Sequence, residues 1–279
     1  MLTFLFWNLN RADLTELLVD AVNEFGVDVL MLGESVLKPV AFLRKVNKGR
    51  AAKFGYHPNA ADSGSERRKI DLFTILPSAD VAWRRDAPGI AACEINHPTL
   101  AGSVLLAMVH LRSKIRITTT GQEHLCLRAA KEVVLGERDV GHHRTIVVGD
   151  FNMNPFESAI VSSEGFHAII SSPIAKSGSR IVQAEERRFF YNPSWKLFRP
   201  PMTGRAGGTY FFRDNEPLTY FWNTFDQVLV RPELIEGFDM ESFDLVERIG
   251  DRKLTTPAGI PDAASASDHL PLMFRLKPI

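Results

Sequence analysis

The sequence predicts an α/β (α+β) fold in which two mixed β-sheets pack face to face with helices outside. Three observations lead there. Strand-like runs outnumber helical ones. Several of those runs are apolar throughout, as strands covered on both faces are. And the runs do not alternate strictly with helices, as they would in a doubly wound sheet.

Residues 2–7 are apolar and aromatic throughout and end in the polar Asn8-Leu-Asn10, which reads as a buried strand with a polar terminus. Asp13 and Glu16 have capping-box spacing. Leu14, Leu17, Leu18, Ala21, Val22 and Phe25 then share one helical stripe, and Gly26 stops that helix before a second buried strand at 27–32. Further strands are predicted at 71–76, 89–95, 103–111, 144–148, 225–230 and 270–276, with a long amphipathic helix around 123–135. Residues 171–208 mix Pro, Gly and Ser with aromatics and read as a long surface excursion of the functional kind.

A chain of 279 residues, 45% of them apolar, can bury a sizeable core, and one domain spanning 1–279 is expected. Lys plus Arg and Asp plus Glu are both 33, so the overall field favours neither nucleic acid nor membrane. Cys93 and Cys126 lie in apolar stretches, which points to buried thiols in a reducing compartment instead of a disulfide framework. The opening Met1-Leu-Thr-Phe-Leu-Phe-Trp-Asn8 lacks the basic region of a signal peptide, and no apolar run approaches the roughly 20 residues needed to span a bilayer. A soluble, cytoplasmic protein without stable membrane association is expected.

Acidic, amide and imidazole groups recur at the ends of the apolar strands. Asn8 follows the first, Glu34 follows Leu30-Met-Leu-Gly33, and His110 closes a run beginning at Leu105. Asp150 and Asn152 follow Ile146-Val-Val-Gly149, Asp226 opens Gln227-Val-Leu-Val230, and Asp268-His269 precede the last strand. Strand ends in a layered fold meet at one edge, so these groups can converge although they are far apart in sequence. Singly, each has a plain explanation: a lone Glu after a strand is usually a solvated turn residue, Asp-Phe-Asn is usually an Asx-turn or helix cap, and a single His is often a satisfied core histidine. As a set they match phosphodiester hydrolysis, which needs charge neutralisation on phosphoryl oxygens, an activated water and help for the leaving oxygen. Hard oxygen ligands such as Glu34 and Asp268 suit Mg²⁺ or Mn²⁺, and with neither Cys near these motifs a zinc site is disfavoured.

Phe6-Trp-Asn8, Gly33-Glu34, Val109-His-Leu111, Val148-Gly-Asp-Phe-Asn152, Phe225-Asp226 and Ser267-Asp-His-Leu-Pro271 occur in this order over nearly the whole chain. In residues and order they resemble the endonuclease/exonuclease/phosphatase superfamily, which includes DNase I, exonuclease III, neutral sphingomyelinases and inositol-polyphosphate 5-phosphatases. The resemblance implies the DNase I-like four-layered sandwich and a phosphodiesterase activity dependent on Mg²⁺ or Mn²⁺. By position, Glu34 resembles the family's metal-binding Glu, with Asn8 beside it near metal and phosphate, and Asp268 resembles a second acidic contributor. Asp150 resembles the Asp that manages the proton of the water or leaving group, and Asn152 its partner. His269 resembles the catalytic His, Asp226 the Asp that hydrogen-bonds it, and His110 a His that contacts phosphate in several branches. Asn10 stands where abasic-site endonucleases carry an Asp that supports a second metal, so a single metal is implied.

For the substrate, cations interleave with aromatics over 176–205. Lys176, Arg180, Arg187, Arg188, Lys196, Arg199 and Arg205 stand among Phe189, Phe190, Tyr191, Trp195 and Phe198, a pattern suited to a nucleic-acid strand or equally to an anchored surface loop. Tyr210, Phe211, Phe212, Tyr220, Phe221 and Trp222 crowd the approach to Asp226, as a half-buried hairpin would. Arg112, Lys114 and Arg116 alternate after His110 and can line one strand face toward phosphate, or simply form a solvated strand end. DNA or RNA is the expected substrate. The alternative is a small-molecule or lipid phosphoester, against which no aromatic hairpin for docking on a bilayer is recognisable. A catalytically dead binding platform is the third reading, opposed by the retention of every motif position.

Overall fold

In the computed structural model, which describes residues 1–58, 70–200, 205–215 and 217–278, the first apolar run forms β1 (Leu2–Asn8), buried along its whole length. It is followed by α1 (Thr15–Phe25), β2 (Val29–Gly33), α2 (Pro39–Val46), β3 (Gly55–Tyr56) and β4 (Ile70–Thr74). Next come β5 (Val81–Ala87), β6 (Ile90–Ile95), β7 (Val104–His110), the long α3 (Thr119–Val140) and β8 (Thr145–Asp150). Shorter pieces follow: α4 (Ser158–Val161), β9 (Ala168–Ile169), α5 (Ser172–Ala175), β10 (Ser179–Val182), β11 (Glu185–Arg188) and β12 (Phe190–Tyr191). The chain ends with β13 (Tyr210–Phe211), β14 (Trp222–Asn223), β15 (Asp226–Val230), β16 (Asp244–Leu245), β17 (Arg248–Ile249), β18 (Arg252–Lys253) and β19 (Leu272–Leu276).

Two large mixed sheets result, one of six strands in the order β16-β19-β1-β2-β4-β3 and one of seven in the order β5-β6-β7-β8-β15-β12-β9. They pack face to face with helices outside, which is the expected α/β (α+β) four-layered sandwich. The strand period of two sorts side chains between the layers. Leu106, Met108, Ile146, Val148 and Val228 join Phe4 and Phe6 in the core between the sheets, whereas Leu105, Ala107, Val147 and Leu229 face Cys126, Ala129 and Val133 of α3. On the outer face of the first sheet, Phe42 of α2 meets Phe73 of β4 edge-on at 4.9 Å. Both cysteines are free and buried, as expected.

Three local expectations are corrected. Asp13 and Glu16 form no capping box: the residue before α1 is Leu14, without a side-chain cap. Asp13 Oδ1 instead accepts the N–H and hydroxyl of Thr15, an Asx-type arrangement that competes with capping, and Glu16 turns to Lys45 of α2. The stretch after His110 is no strand face, because Lys114–Arg116 coils into a 3₁₀ turn. Residues 171–208 are largely built into the fold, since α5, the β10–β11 hairpin and a 3₁₀ turn at Pro193–Leu197 lie within them. There β12 inserts between β15 and β9, burying Phe189, Phe190 and Tyr191. Residues 201–204 of that stretch fall outside the described residues.

Candidate active site

Strand register brings the predicted residues together. Across the second sheet, His110 pairs with Asp150 and Asp150 pairs with Asp226; across the first, Asn8 pairs with Gly33, immediately before Glu34. Asn8 Nδ2 donates to Asp150 Oδ2 at 3.1 Å and so joins the two sheets at this edge. The close approach of β7 and β8 depends on Gly149: at φ 145°, a Cβ there would lie 1.9 Å from the Val109 carbonyl oxygen.

Asp150 is the best-fastened group. Its Oδ1 accepts the Asn152 backbone N–H at 2.7 Å, and its Oδ2 accepts Asn152 Nδ2 at 2.9 Å. Asn152 holds this position with a left-handed backbone, φ 51°, while its amide also donates to the Leu111 carbonyl at 3.0 Å. Burial pushes the Asp150 carboxyl up and the charge of Asp226 adds to this, whereas His269, His110 and the Asn152 N–H pull it down without reversing the direction.

His269 Nδ1 donates to Asp226 Oδ2 at 2.7 Å, both groups being buried. Burial alone would lower the imidazole; the charge and hydrogen bond of Asp226, joined by Asp150 and Asp268, override it and raise His269 to about 10. At neutral pH it is therefore an imidazolium locked in orientation. His110 Nε2 lies 3.4 Å from Glu34 Oε1 and 3.8 Å from Asp150 Oδ2. That contact with His110, supported by the charges of Arg11 and His269, holds Glu34 below its ordinary value against the opposing effect of burial. Asp268 goes the other way, raised by burial and then by the nearby Asp226 and Glu34.

Several supporting residues had no role assigned from sequence. Thr209 Oγ1 accepts the N–H groups of Phe225 and Asp226 at 3.0 and 3.1 Å. Ser267 Oγ donates to the Asn8 carbonyl at 2.7 Å and accepts the His269 N–H at 3.2 Å, and Trp7 Nε1 donates to the His269 carbonyl at 2.8 Å. Tyr210 lays its ring 4.7 Å from that of His269. Trp7 and Ser267 lie inside the recognised motifs, where a buried indole N–H and a small hydroxyl were readable signals; Tyr210 belongs to the aromatic run expected near Asp226, and Thr209 became visible only through pairing.

The group suits a cation. Glu34, Asp150, Asp226 and Asp268 converge, two of them raised by burial and mutual repulsion, and Asp226 Oδ1 is buried without a hydrogen-bond partner among the described residues. Asp150, Asp226 and His269 offer ligand atoms within 4.8 Å of one another, close enough to hold one metal ion.

Around the site, two expectations change. The cations of 176–205 have protein partners: Lys176 binds Glu236, Arg187 binds Glu164, Arg188 binds Glu233, and Arg199 and Arg205 share Asp244. Arg180 donates to His167, and Lys196 to the Phe243 carbonyl. Arg187 and Arg188 also sit toward the Val230 end of β15, away from Asp226, because Tyr191 pairs with Val230. Lys114 is taken by Glu157 at 2.6 Å. Conversely, the hairpin expected to be half-buried is more exposed than that: β13 and β14 pair, and Phe212, Leu218, Tyr220 and Phe221 are 37%, 76%, 49% and 45% exposed.

A two-sheet sandwich with a fixed imidazolium, a pinned carboxylate and converging acids at one edge defines a phosphoester hydrolase. The chain belongs to the endonuclease/exonuclease/phosphatase family, whose pattern matches residues 5–269. Among solved structures, the endonuclease domain of TRAS1, a telomere-specific non-LTR retrotransposon, is similar at 14% identity and TM-score 0.51, covering 99% of this chain and 98% of that one. D. rerio TDP2 complexed with single-strand DNA product is similar at 17% identity and TM-score 0.52, covering 98% and 97%. A mannosyl-6-phosphatase of Bacteroides thetaiotaomicron VPI-5482 is similar at 13% identity and TM-score 0.54, covering 99% of each chain. Curated protein sequences contain no match.

Proposed function

We propose that this protein is a phosphodiesterase dependent on Mg²⁺ or Mn²⁺ and that its substrate is a DNA or RNA strand. The observation that carries the reading is the imidazolium of His269, held by Asp226 beside an Asp150 carboxylate that Asn8 and Asn152 pin in place. Asp150, with its proton affinity raised, takes the proton of the attacking water, and the leaving oxygen, on the far side of phosphorus, takes its proton from solvent as the P–O bond breaks. His269 directs its remaining N–H at a phosphoryl oxygen as charge grows there, and His110 adds a second imidazole on the same side. Glu34, with Asn8 and Asp268 beside it, would hold a divalent ion, which when bound would supply neutralisation of phosphoryl charge.

For the ion, Glu34 is the leading ligand, with Asn8 and Asp268 beside it. It is the site acid held below its ordinary value, hence fully ionised, and it is part-exposed at the mouth. The Asp150, Asp226 and His269 group is less suited, because a protonated imidazole donating to Asp226 has no lone pair there for a metal. Glu34→Gln is expected to weaken Mn²⁺ affinity by at least about 100-fold in calorimetry while the melting temperature stays within about 2 °C. Unchanged affinity in the folded variant would take Glu34 out of the metal site.

Nucleic acid is supported by the part-exposed rings of Phe212, Tyr220 and Phe221 on the hairpin, of which Phe212 stacks 6.4 Å from Tyr210, itself 4.7 Å from His269, and by the fold shared with proteins that act on DNA. The same exposed crest, with Leu218, favours a lipid phosphodiester as the second reading. Tyr220→Ala combined with Phe221→Ala is expected to weaken single-stranded DNA binding about tenfold. A loss confined to sphingomyelin vesicles would move the substrate to lipid.

A further inference from the structure

Arg11 occupies a backbone conformation that its side chain does nothing to favour. Asn10 and Arg11 are consecutive left-handed residues, φ 45° and 60°, and Glu34 opposite them is a third, φ 46°. The two loops are clasped by backbone bonds, Leu9 N–H to the Gly33 carbonyl at 2.8 Å and Arg11 N–H to the Glu34 carbonyl at 3.1 Å. Those bonds need the backbone shape alone, and Gly adopts it without steric conflict, whereas a long L-residue is strained there. Nor does the guanidinium serve the fold. Its side chain is 75% exposed, and its ion pair with Glu34 is a long one, 3.7 Å from Arg11 Nε to Glu34 Oε2, of a kind that contributes little in water. Strain retained for a side chain the fold does not use points to a ligand.

The ligand's chemistry follows from position. Glu34 lies between Arg11 on the solvent side and His110 on the buried side, so the guanidinium stands at the mouth of the group that binds the phosphodiester. A planar fork of N–H donors there matches phosphoryl oxygens. Resting on the phosphodiesterase reading, we propose that Arg11 is a substrate-binding residue that clamps the non-bridging oxygens of the substrate's phosphate as it enters the site.

The test uses full-length wild type, Arg11→Gly and Arg11→Lys, with two probes: inorganic phosphate binding in metal-free protein, and hydrolysis of bis(4-nitrophenyl) phosphate with Mn²⁺. Arg11→Gly should melt at or above the wild-type temperature, by up to about 3 °C, because it relieves the left-handed strain. The same variant should bind phosphate at least about tenfold more weakly and raise KM about tenfold, with kcat within about twofold. Arg11→Lys should fall between, keeping the charge and losing the fork. Unchanged phosphate affinity and KM in Arg11→Gly overturn the proposal, as does a wild type that binds no phosphate. A Gly variant melting several degrees lower also overturns it, since Arg11 would then serve the fold. Should wild type hydrolyse no diester yet bind phosphate through Arg11, the clamp stands and the phosphodiesterase reading fails.

Discussion

Asp226→Asn is expected to lower kcat by about 10³-fold or more while KM for a phosphodiester changes by less than about threefold. The substitution preserves shape and removes the charge that, against burial, lifts His269 to about 10. Without it burial is opposed only by Asp150 and Asp268, the proton affinity of the imidazole falls, and its hold on the proton aimed at the phosphate weakens in the transition state. The pH profile gives an independent check. In the wild type the alkaline limb reports deprotonation of His269, so activity falls as pH rises toward 10; in Asp226→Asn that limb moves to lower pH. Stability follows the same sign. A histidine raised in the folded state contributes fully below its unfolded value of 6.5 and loses that contribution as pH rises through about 10. Metal-free wild type should therefore lose stability over that window, and Asp226→Asn should lose less. An NMR titration of His269 unchanged by the substitution would sink the assignment of the pair.

Most of this site was legible because polar residues interrupt apolar strands. A buried strand such as β1 or β8 has no packing reason to end in Asn8 or in Asp150 and Asn152, so chemistry was the economical explanation, and register then placed the groups together. What was not legible depended on partners distant in sequence. The cations of 176–205 looked available because their acids, Glu164, Glu233, Glu236 and Asp244, come from other segments. The protruding hairpin looked half-buried because alternation cannot tell which aromatic meets a neighbouring layer. Asp13 followed by Glu16 has the spacing of a capping box, and the structure starts the helix one residue later, where Asp13 binds Thr15. Arg11 gave no signal at all, since a left-handed φ is a property of the loop pair and not of the residue.

The buried pair of Glu137 and Arg231 is where a single substitution should cost most stability. Arg231 Nε donates to Glu137 Oε1 at 2.8 Å and its terminal nitrogen to Oε2 at 3.1 Å, with the two side chains 4% and 1% exposed. A third donor reaches the Phe189 carbonyl at 3.0 Å, and the guanidinium lies 3.8 Å from the Phe190 ring centre. The pair ties the last turn of α3 to the residue after β15, at the opposite end of that strand from Asp226. Removing one partner strands the other's charge in the core, so Arg231→Met is expected to destabilise by about 3–5 kcal/mol, or roughly 8–15 °C in Tm. Arg231→Met with Glu137→Leu should recover most of the loss, because the pair's own attraction does little more than offset the desolvation of both charges. Burial raises the Glu137 carboxyl, but Arg231 overrides it and holds the group below its ordinary 4.5. A depressed carboxyl contributes fully above its unfolded value and loses that contribution as pH falls through the folded one, so the pair's stabilisation should fade below about pH 4.5. In the double variant that acid-limb dependence should vanish while diester hydrolysis persists. If the double variant melts as low as Arg231→Met in denaturation measurements, the donors to Phe189 and the stacking on Phe190, more than the ion pair, hold this end of the sheet.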